Sequence, residues 1–262
     1  MSGRIHRWAP TTVSEYSYGT CVTMETIDRF GGLLGLTAAP LLPSLQHEAD
    51  LGFDVAIATH WQLLFLQFKI ASRLVRKSAA EAHVFPVPYF RFAVKTDVTS
   101  NGMCQHNTLC ELESALPGGA DFVLYVAPLF DSVTDFNAYA RAGALTSHSV
   151  FVAPSVLGPV SPGEGHCFAY RTAFDIRAFS EAGPPTDGSF ERLLRVLAMQ
   201  SRPPRPLSEF LRTCDDVFNR VLGGQVLDDQ PGLATSLGAL SLGLQPILLR
   251  IDAEALSDQP AG

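Results

Sequence analysis

The sequence predicts an α/β domain, and three observations lead there. Two near-continuous apolar runs, Phe53 to Ala58 and Leu63 to Ile70, suit strands covered on both faces. Helix-like segments with cap and stop signals lie before and after them, in mixed order with further strand-like segments. The composition, 47% hydrophobic and 10% aromatic, supports a packed core rather than a disordered chain. A length of 262 residues does not by itself separate one large domain from two small ones. The order of elements reads as an α/β core over 1–175, with a helical elaboration over 176–262 packed on the same domain.

Residues 1 to 13 read as an irregular lead-in. Ser14 can cap a helix through EYSYGTCVTMETIDRF, with Glu15 in the first turn, where the helix dipole favours an anion. Gly31 and Gly32 supply a stop. On this helix Glu15, Tyr18, Val22 and Glu25 fall on one face. PSLQHEA reads as a first strand and Leu51-Gly52 as part of a turn. The two apolar runs follow as second and third strands, joined by a turn near Thr59 to Gln62.

ASRLVRKSAAEAH reads as helix or loop, and PYFRFAV as a strand entered through Pro86 and Pro88. A helix spans roughly Gln105 to Leu116 and stops at Pro117-Gly118-Gly119. DFVLYVAPLF is a buried strand, and DSVTDFNAYARAG a helix capped by Asp131 or Ser132 and closed by Gly143. SVFVAPS and HCFAYRT are short strands, and GPPTDGS a surface loop. Two amphipathic helices, SFERLLRVLAMQ and LSEFLRTCDDVFNRVLGG, flank an RPPRP spacer, and QPILLRI is a last apolar strand before a polar tail. There is no internal repeat and no low-complexity tract.

Charge and motifs exclude several classes. The formal net charge of −7, from 19 basic and 26 acidic residues, argues against a nucleic-acid binder that is basic all over. It leaves room for a local basic patch and fits a site that gathers carboxylates around a cation. Five scattered cysteines form no CxxC pair, so zinc ribbons and dithiol redox motifs have no support. The chain also lacks HExxH, GxSxG and P-loop motifs. No secretory signal opens it, and the longest membrane-like run, GGLLGLTAAPLL at 31 to 42, is short and contains Pro40. The expectation is a soluble cytoplasmic protein with free thiols and no membrane partner.

The candidate chemistry lies in the stretch GFDVAIATHWQLLFLQFKIAS. Alternation puts Leu63, Phe65, Gln67 and Lys69 on one side of their strand. With the turn near Thr59 to Gln62, Asp54 lies at the same open end of the hairpin as Gln67 and Lys69. Three polar groups in so apolar a ribbon need partners or a purpose, because an unpaired buried charge is expensive. The Asp54 carboxylate, the Gln67 amide oxygen and the Phe68 carbonyl are hard oxygen ligands of the kind Mg²⁺ accepts. The Lys69 ammonium beside them can hold a water or neutralise charge developing on a phosphate.

This arrangement resembles the PD-(D/E)xK superfamily, the restriction-endonuclease-like nucleases. Asp54 matches the aspartate, Lys69 the lysine, and Gln67 takes the acidic position of the xK signature. The resemblance covers about residues 14 to 128. It implies a core of helix, three-stranded meander, helix and strand, with additional strands and C-terminal helices outside it. It implies Mg²⁺- or Mn²⁺-dependent hydrolysis of phosphodiester bonds, with DNA as substrate. Asp54, Gln67 and the Phe68 carbonyl would then be metal ligands and Lys69 the catalytic ammonium. The auxiliary acid on the leading helix would be Glu25 or Glu15. The glutamine weakens the cation site relative to a carboxylate unless Glu25, Glu15 or Glu48 compensates. A bacterial defence effector and a homodimer are both compatible with the superfamily.

Around this site Arg73, Arg76 and Lys77, with Arg91 and Lys95 on the next strand, offer a local groove for a phosphate backbone. Gln105 and His106 open the helix after SNGMC, where His106 can approach the face of Lys69 and contact phosphate. Bland readings stand beside these. Asp54 and Lys69 can be a structural ion pair, the basic cluster a solvated turn, and His106 a capping or packing residue. His148 and His166 read as structural, and Cys21 and Cys104 as plain thiols. The competing function is an inactive nuclease-fold protein that binds a protein partner through its C-terminal part. RNA is a third, weaker substrate.

Overall fold

The computed structural model describes residues 12–34, 40, 42, 52–58, 63–78, 80–98, 103–116, 122–179 and 183–199. These residues form two four-stranded sheets and four α-helices, a mixed α/β arrangement. The expected first strand with Glu48, the hairpin turn, the RPPRP spacer, the second amphipathic helix, Cys214 and the last strand lie outside the described residues.

Helix α1 (Glu15–Leu34) starts where Ser14 Oγ accepts the Ser17 amide at 3.0 Å. It runs through Gly31 and Gly32, where a stop was expected. Each glycine costs a helix about 1 kcal/mol without forbidding it. Strands β1 (Val55–Ala58) and β2 (Leu63–Phe68) pair antiparallel, with Val55 opposite Leu66. Strand β5 (Phe122–Pro128) lies parallel to β2, and β6 (Ser149–Val152) pairs antiparallel with β5. The first sheet therefore has the order β1-β2-β5-β6.

A parallel pair cannot be joined by a tight turn. The crossover from β2 to β5 here carries β3 (Ser72–Leu74), β4 (Tyr89–Ala93) and helix α2 (Gln105–Ala115). The second sheet, all antiparallel, has the order β3-β4-β7-β8, where β7 is Cys167–Tyr170 and β8 is Ile176–Phe179. Two of its strands correct the sequence reading. Ser72–Leu74, expected as helix or loop, is a strand because it pairs with Tyr89–Arg91 of β4. Ile176–Phe179 falls in the segment expected to be helical, yet its alternating burial and its ladder to β7 make it a strand.

Helix α3 (Val133–Ala142) is capped by Ser132, whose Oγ accepts the Asp135 amide at 3.0 Å. It ends at Gly143, whose φ of 59° is the left-handed conformation glycine adopts without a Cβ clash. The last described helix is α4 (Phe190–Met199).

Both faces of the first sheet are covered. Leu64, Leu66 and Phe68 of β2 point to one side, where they pack with Tyr18 and Val22 of α1, Leu124 and Val126 of β5, and Phe190 of α4. Phe65 points to the other side, towards Leu109 and Leu112 of α2 and the Phe92, Phe168 and Tyr170 rings of the second sheet. Full burial of each such ring is worth about 1.5–3 kcal/mol, so this aromatic layer fixes the two sheets and α2 against each other. No helix among the described residues is long and apolar enough to cross a membrane.

Candidate functional site

One step beyond the Val55–Leu66 pair, Asp54 falls opposite Gln67, and its amide donates to the Leu66 carbonyl at 2.9 Å. Directly opposed residues of an antiparallel pair share a face, so Asp54 and Gln67 meet. Lys69 continues the strand direction of β2, its amide donating to Val126 O at 2.9 Å. From the other side, Gln105 is the first residue of α2 and reaches back over the same face. Gly52 allows this approach. Its φ is +81°, and a Cβ there would lie 3.3 Å from Leu109 Cγ and 3.4 Å from the Gln105 carbonyl.

The side chains form one connected chain. Gln67 Nε2 donates to Asp54 Oδ2 at 2.8 Å and to the Phe68 carbonyl at 3.2 Å. The Phe68 amide also donates to Asp54 Oδ2, at 2.6 Å. Gln105 Nε2 donates to Gln67 Oε1 at 3.1 Å, and Lys69 Nζ donates to Gln105 Oε1 at 3.3 Å. Asp54 is half-buried, whereas Gln67 is 1% and both Lys69 and Gln105 are 5% exposed. The three hairpin residues expected to converge do lie in one network, joined by a fourth residue, Gln105.

Other expected site residues sit elsewhere. Glu25 serves the fold. Its Oε2 accepts the Leu145 amide at 2.7 Å, and its Oε1 accepts the Thr146 amide at 3.1 Å and the Thr146 hydroxyl at 2.5 Å. Arg29, one turn on, pairs with it at 3.2 Å. Both carboxylate oxygens thus tie α1 to the segment after α3, and the role of auxiliary acid does not fit this residue. Glu15 opens α1 and is half-buried.

His106 is also a correction. Its ring is fully buried, with Nδ1 2.9 Å from the Tyr125 hydroxyl and Nε2 2.8 Å from the Gly158 carbonyl. Burial holds its pKa below the usual imidazole value. A neutral ring engaged at both nitrogens packs the core and does not reach a phosphate. His148 stacks on Tyr139 and bonds the Ala144 carbonyl, a structural role.

Arg73, Arg76 and Lys77 are all exposed, on and just after β3. Arg91 does not join them. It pairs at 3.2 Å with the buried Glu81, which also accepts from the Tyr89 hydroxyl and the Cys167 thiol. Burial pushes the Glu81 carboxyl up, but a backbone hydrogen bond, with those from Tyr89, Cys167 and Arg91, outweighs it and holds the carboxyl below the usual carboxylate value.

Gln105 is the residue that the sequence reading placed at the helix start without a role, giving the role to its neighbour. The only signal was its position as the first residue of a helix. One residue along, the helical turn of about 100° sends His106 into the core instead.

Could this network hold a divalent cation? Two hard oxygens, Asp54 Oδ2 and Phe68 O, lie close together, both accepting from Gln67 Nε2 at 2.8 and 3.2 Å. That donor set suits Mg²⁺ or Mn²⁺. Gln67 itself presents its nitrogen there, so it becomes a ligand only with its amide turned. Among the described residues no group of three or more His, Cys, Asp or Glu side chains is placed to hold a metal. A cation at Asp54 would thus rest on one described carboxylate and neutral oxygens. A cavity of about 490 Å³ lies elsewhere, lined by Glu113, Leu116, Phe151, Gly188 and Arg192 among others, and none of the Asp54–Lys69 network borders it. Comparison with protein-family models, with curated proteins and with solved structures found no match.

Proposed function

We propose that the chain is a metal-dependent endonuclease with a restriction-endonuclease-like core, hydrolysing phosphodiester bonds of DNA. The observation that carries this reading is that Asp54 Oδ2 and Phe68 O lie side by side at the open end of the β1–β2 pair, both in reach of the Gln67 amide, with Lys69 linked to them through Gln67 and Gln105. Part of the order of elements supports it as well: a leading helix and an antiparallel pair bearing Asp54 and Gln67-x-Lys69, followed, after β3 and β4 of the second sheet, by α2 and a strand parallel to β2.

Asp54, Phe68 O and Gln67 would hold Mg²⁺ or Mn²⁺. Such an ion, when bound, lowers the pKa of a coordinated water and neutralises charge on a phosphate. Asp54 anchors the site, its carboxylate fixed by the Phe68 amide. Lys69 brings a positive charge to where the transition state gains negative charge, in a water-poor setting that strengthens it. Arg73, Arg76 and Lys77 lie four to eight residues after Lys69 in sequence, exposed and suited to a phosphate backbone.

A plasmid nicking assay tests this. Full-length protein should nick supercoiled DNA with Mg²⁺ or Mn²⁺ and stop on chelation. Lys69→Ala should lower the rate by about 10²-fold, the loss typical of one preorganised electrostatic group. A different outcome has its own observation behind it. The network is hydrogen-bonded end to end and largely buried, which favours an inactive nuclease-fold protein that binds a protein partner. Absence of cleavage of both DNA and labelled RNA with either metal would select that reading.

A further inference from the structure

The second sheet ends in exposed cations grouped around an exposed ring. Strand β7 closes on β8 at the Tyr170–Ile176 pair, so Arg171 to Asp175 form the turn between them. Phe174 stands on that turn 63% exposed, with Arg171 and Thr172 exposed beside it. On β4 the partner of Tyr170 is Phe90, and the next residue back, Tyr89, lies opposite Leu74 of β3. Arg171 and the segment after Leu74 therefore emerge at the same end of the sheet, two strand spacings or about 10 Å apart. That segment is Val75, 61% exposed, followed by exposed Arg76 and Lys77.

A single exposed apolar side chain is ordinary on a protein surface, but Phe174 sits on a braced turn. Its neighbour Ala173 is buried, and the Ala173 carbonyl accepts the Gly188 amide at 2.7 Å. The Phe174 amide donates to Thr172 Oγ1 at 3.3 Å. The acid on the turn, Asp175, is paired at 3.1 Å with Arg177, which offsets its repulsion of an anion. The neighbouring cations have no such partner. Arg91 and Arg177 of this sheet each pair with a carboxylate, whereas Arg73, Arg76, Lys77 and Arg171 have no ion pair among the described residues. On a molecule of net charge −7 they make a local positive surface.

This end of the second sheet adjoins the Asp54 network. The Tyr170 hydroxyl donates to the Pro128 carbonyl at 2.9 Å. Pro128 ends β5, two residues past Val126, and Val126 is the partner of Phe68. The path from Phe68 to Arg171 is on the order of 15–20 Å.

Resting on the nuclease reading above for where the strand leads, we propose that Phe174, Arg171, Arg76 and Lys77 form a platform for single-stranded DNA, with a base on the ring and phosphates on the cations. A ring stacks only on a base whose face is bare, which an unpaired strand offers throughout and a duplex only at its ends. Every base has such a face, so the platform has little sequence preference. The substrate that reaches Asp54 is then an unpaired strand, or an unpaired stretch within a duplex.

Fluorescence anisotropy of the full chain with labelled oligonucleotides in EDTA tests this apart from catalysis. Oligo-dT should bind more tightly than a blunt duplex of the same length. Phe174→Ala, a change at an exposed side chain, should weaken oligo-dT binding about tenfold without altering its salt dependence, and Phe174→Trp should keep the affinity. Arg171→Ala should lower the slope of log affinity against log salt by about 0.7. Unchanged oligo-dT affinity in Phe174→Ala, or a duplex bound as tightly as the single strand, would overturn the platform. Metal-dependent nicking by the unmutated chain beside that result would leave the nuclease reading standing. Oligo-U bound in preference to oligo-dT would overturn the assignment to DNA. Phe174-dependent binding in a chain that cuts nothing with either metal would keep the platform and overturn the nuclease reading alone.

Discussion

A buried lysine is costly unless something accepts its protons, and at Lys69 Gln105 does so. The same logic governs Glu25, a carboxylate whose acceptors are saturated by two backbone amides and a hydroxyl. Leu145 and Thr146 are 1% and 0% exposed, so without Glu25 their N–H groups would have no water to turn to. Glu25→Ala should therefore destabilise the fold by about 2 kcal/mol, since each buried donor left unmade costs about 1–3 kcal/mol, as read by urea denaturation. Where the protein folds, its Mg²⁺ affinity should match that of the unmutated chain. A large loss of Mg²⁺ affinity at unchanged stability would return Glu25 to the site. The helix-face spacing of Glu15, Tyr18, Val22 and Glu25 was readable from sequence, and Tyr18 and Val22 are indeed fully buried. Which partner a half-buried carboxylate finds was not, because Leu145 and Thr146 lie 120 and 121 residues away.

At the scale of elements, the site depends on three pieces meeting: the start of β1, the end of β2 and the first turn of α2. Gly52 permits the meeting through its positive φ and its closeness to α2. Gly52→Ala should cost about 1–3 kcal/mol, the usual range for a side chain forced into that backbone region, and should weaken Mg²⁺ binding by displacing Asp54. Full Mg²⁺ affinity in a folded Gly52→Ala protein would show that the hairpin keeps Asp54 in place without it. The hairpin itself was legible, because two apolar runs with no charge between Asp54 and Lys69 have few other homes than paired strands. So were α2, α3 and β5, which carry cap, stop or apolar-run signals. Strands β3 and β8 were not. At three and four residues they are too short to show a period, and only their ladders to β4 and β7 make them strands.

At the scale of the molecule, the first sheet carries the candidate chemistry and the second sheet closes over one face of it. Phe92, Phe168 and Tyr170 cover the face that Gln67 shares with Phe65. This cover keeps water from Gln67, Gln105 and Lys69, and it leaves half-buried Asp54 as the approach. A net charge of −7 sets the exposed Arg73, Arg76 and Lys77 apart as a local basic feature on an acidic molecule. The proposed divalent cation would bind where Asp54 and Phe68 offer their oxygens. Crystals of the full chain soaked in Mn²⁺ and measured at the manganese absorption edge test it most directly. An anomalous peak bonded to Asp54 Oδ2 and the Phe68 carbonyl, with Gln67 turned to present Oε1, is the expected result. Density in which Gln67 Nε2 still bridges those two oxygens at saturating Mn²⁺, with no peak beside them, would contradict it.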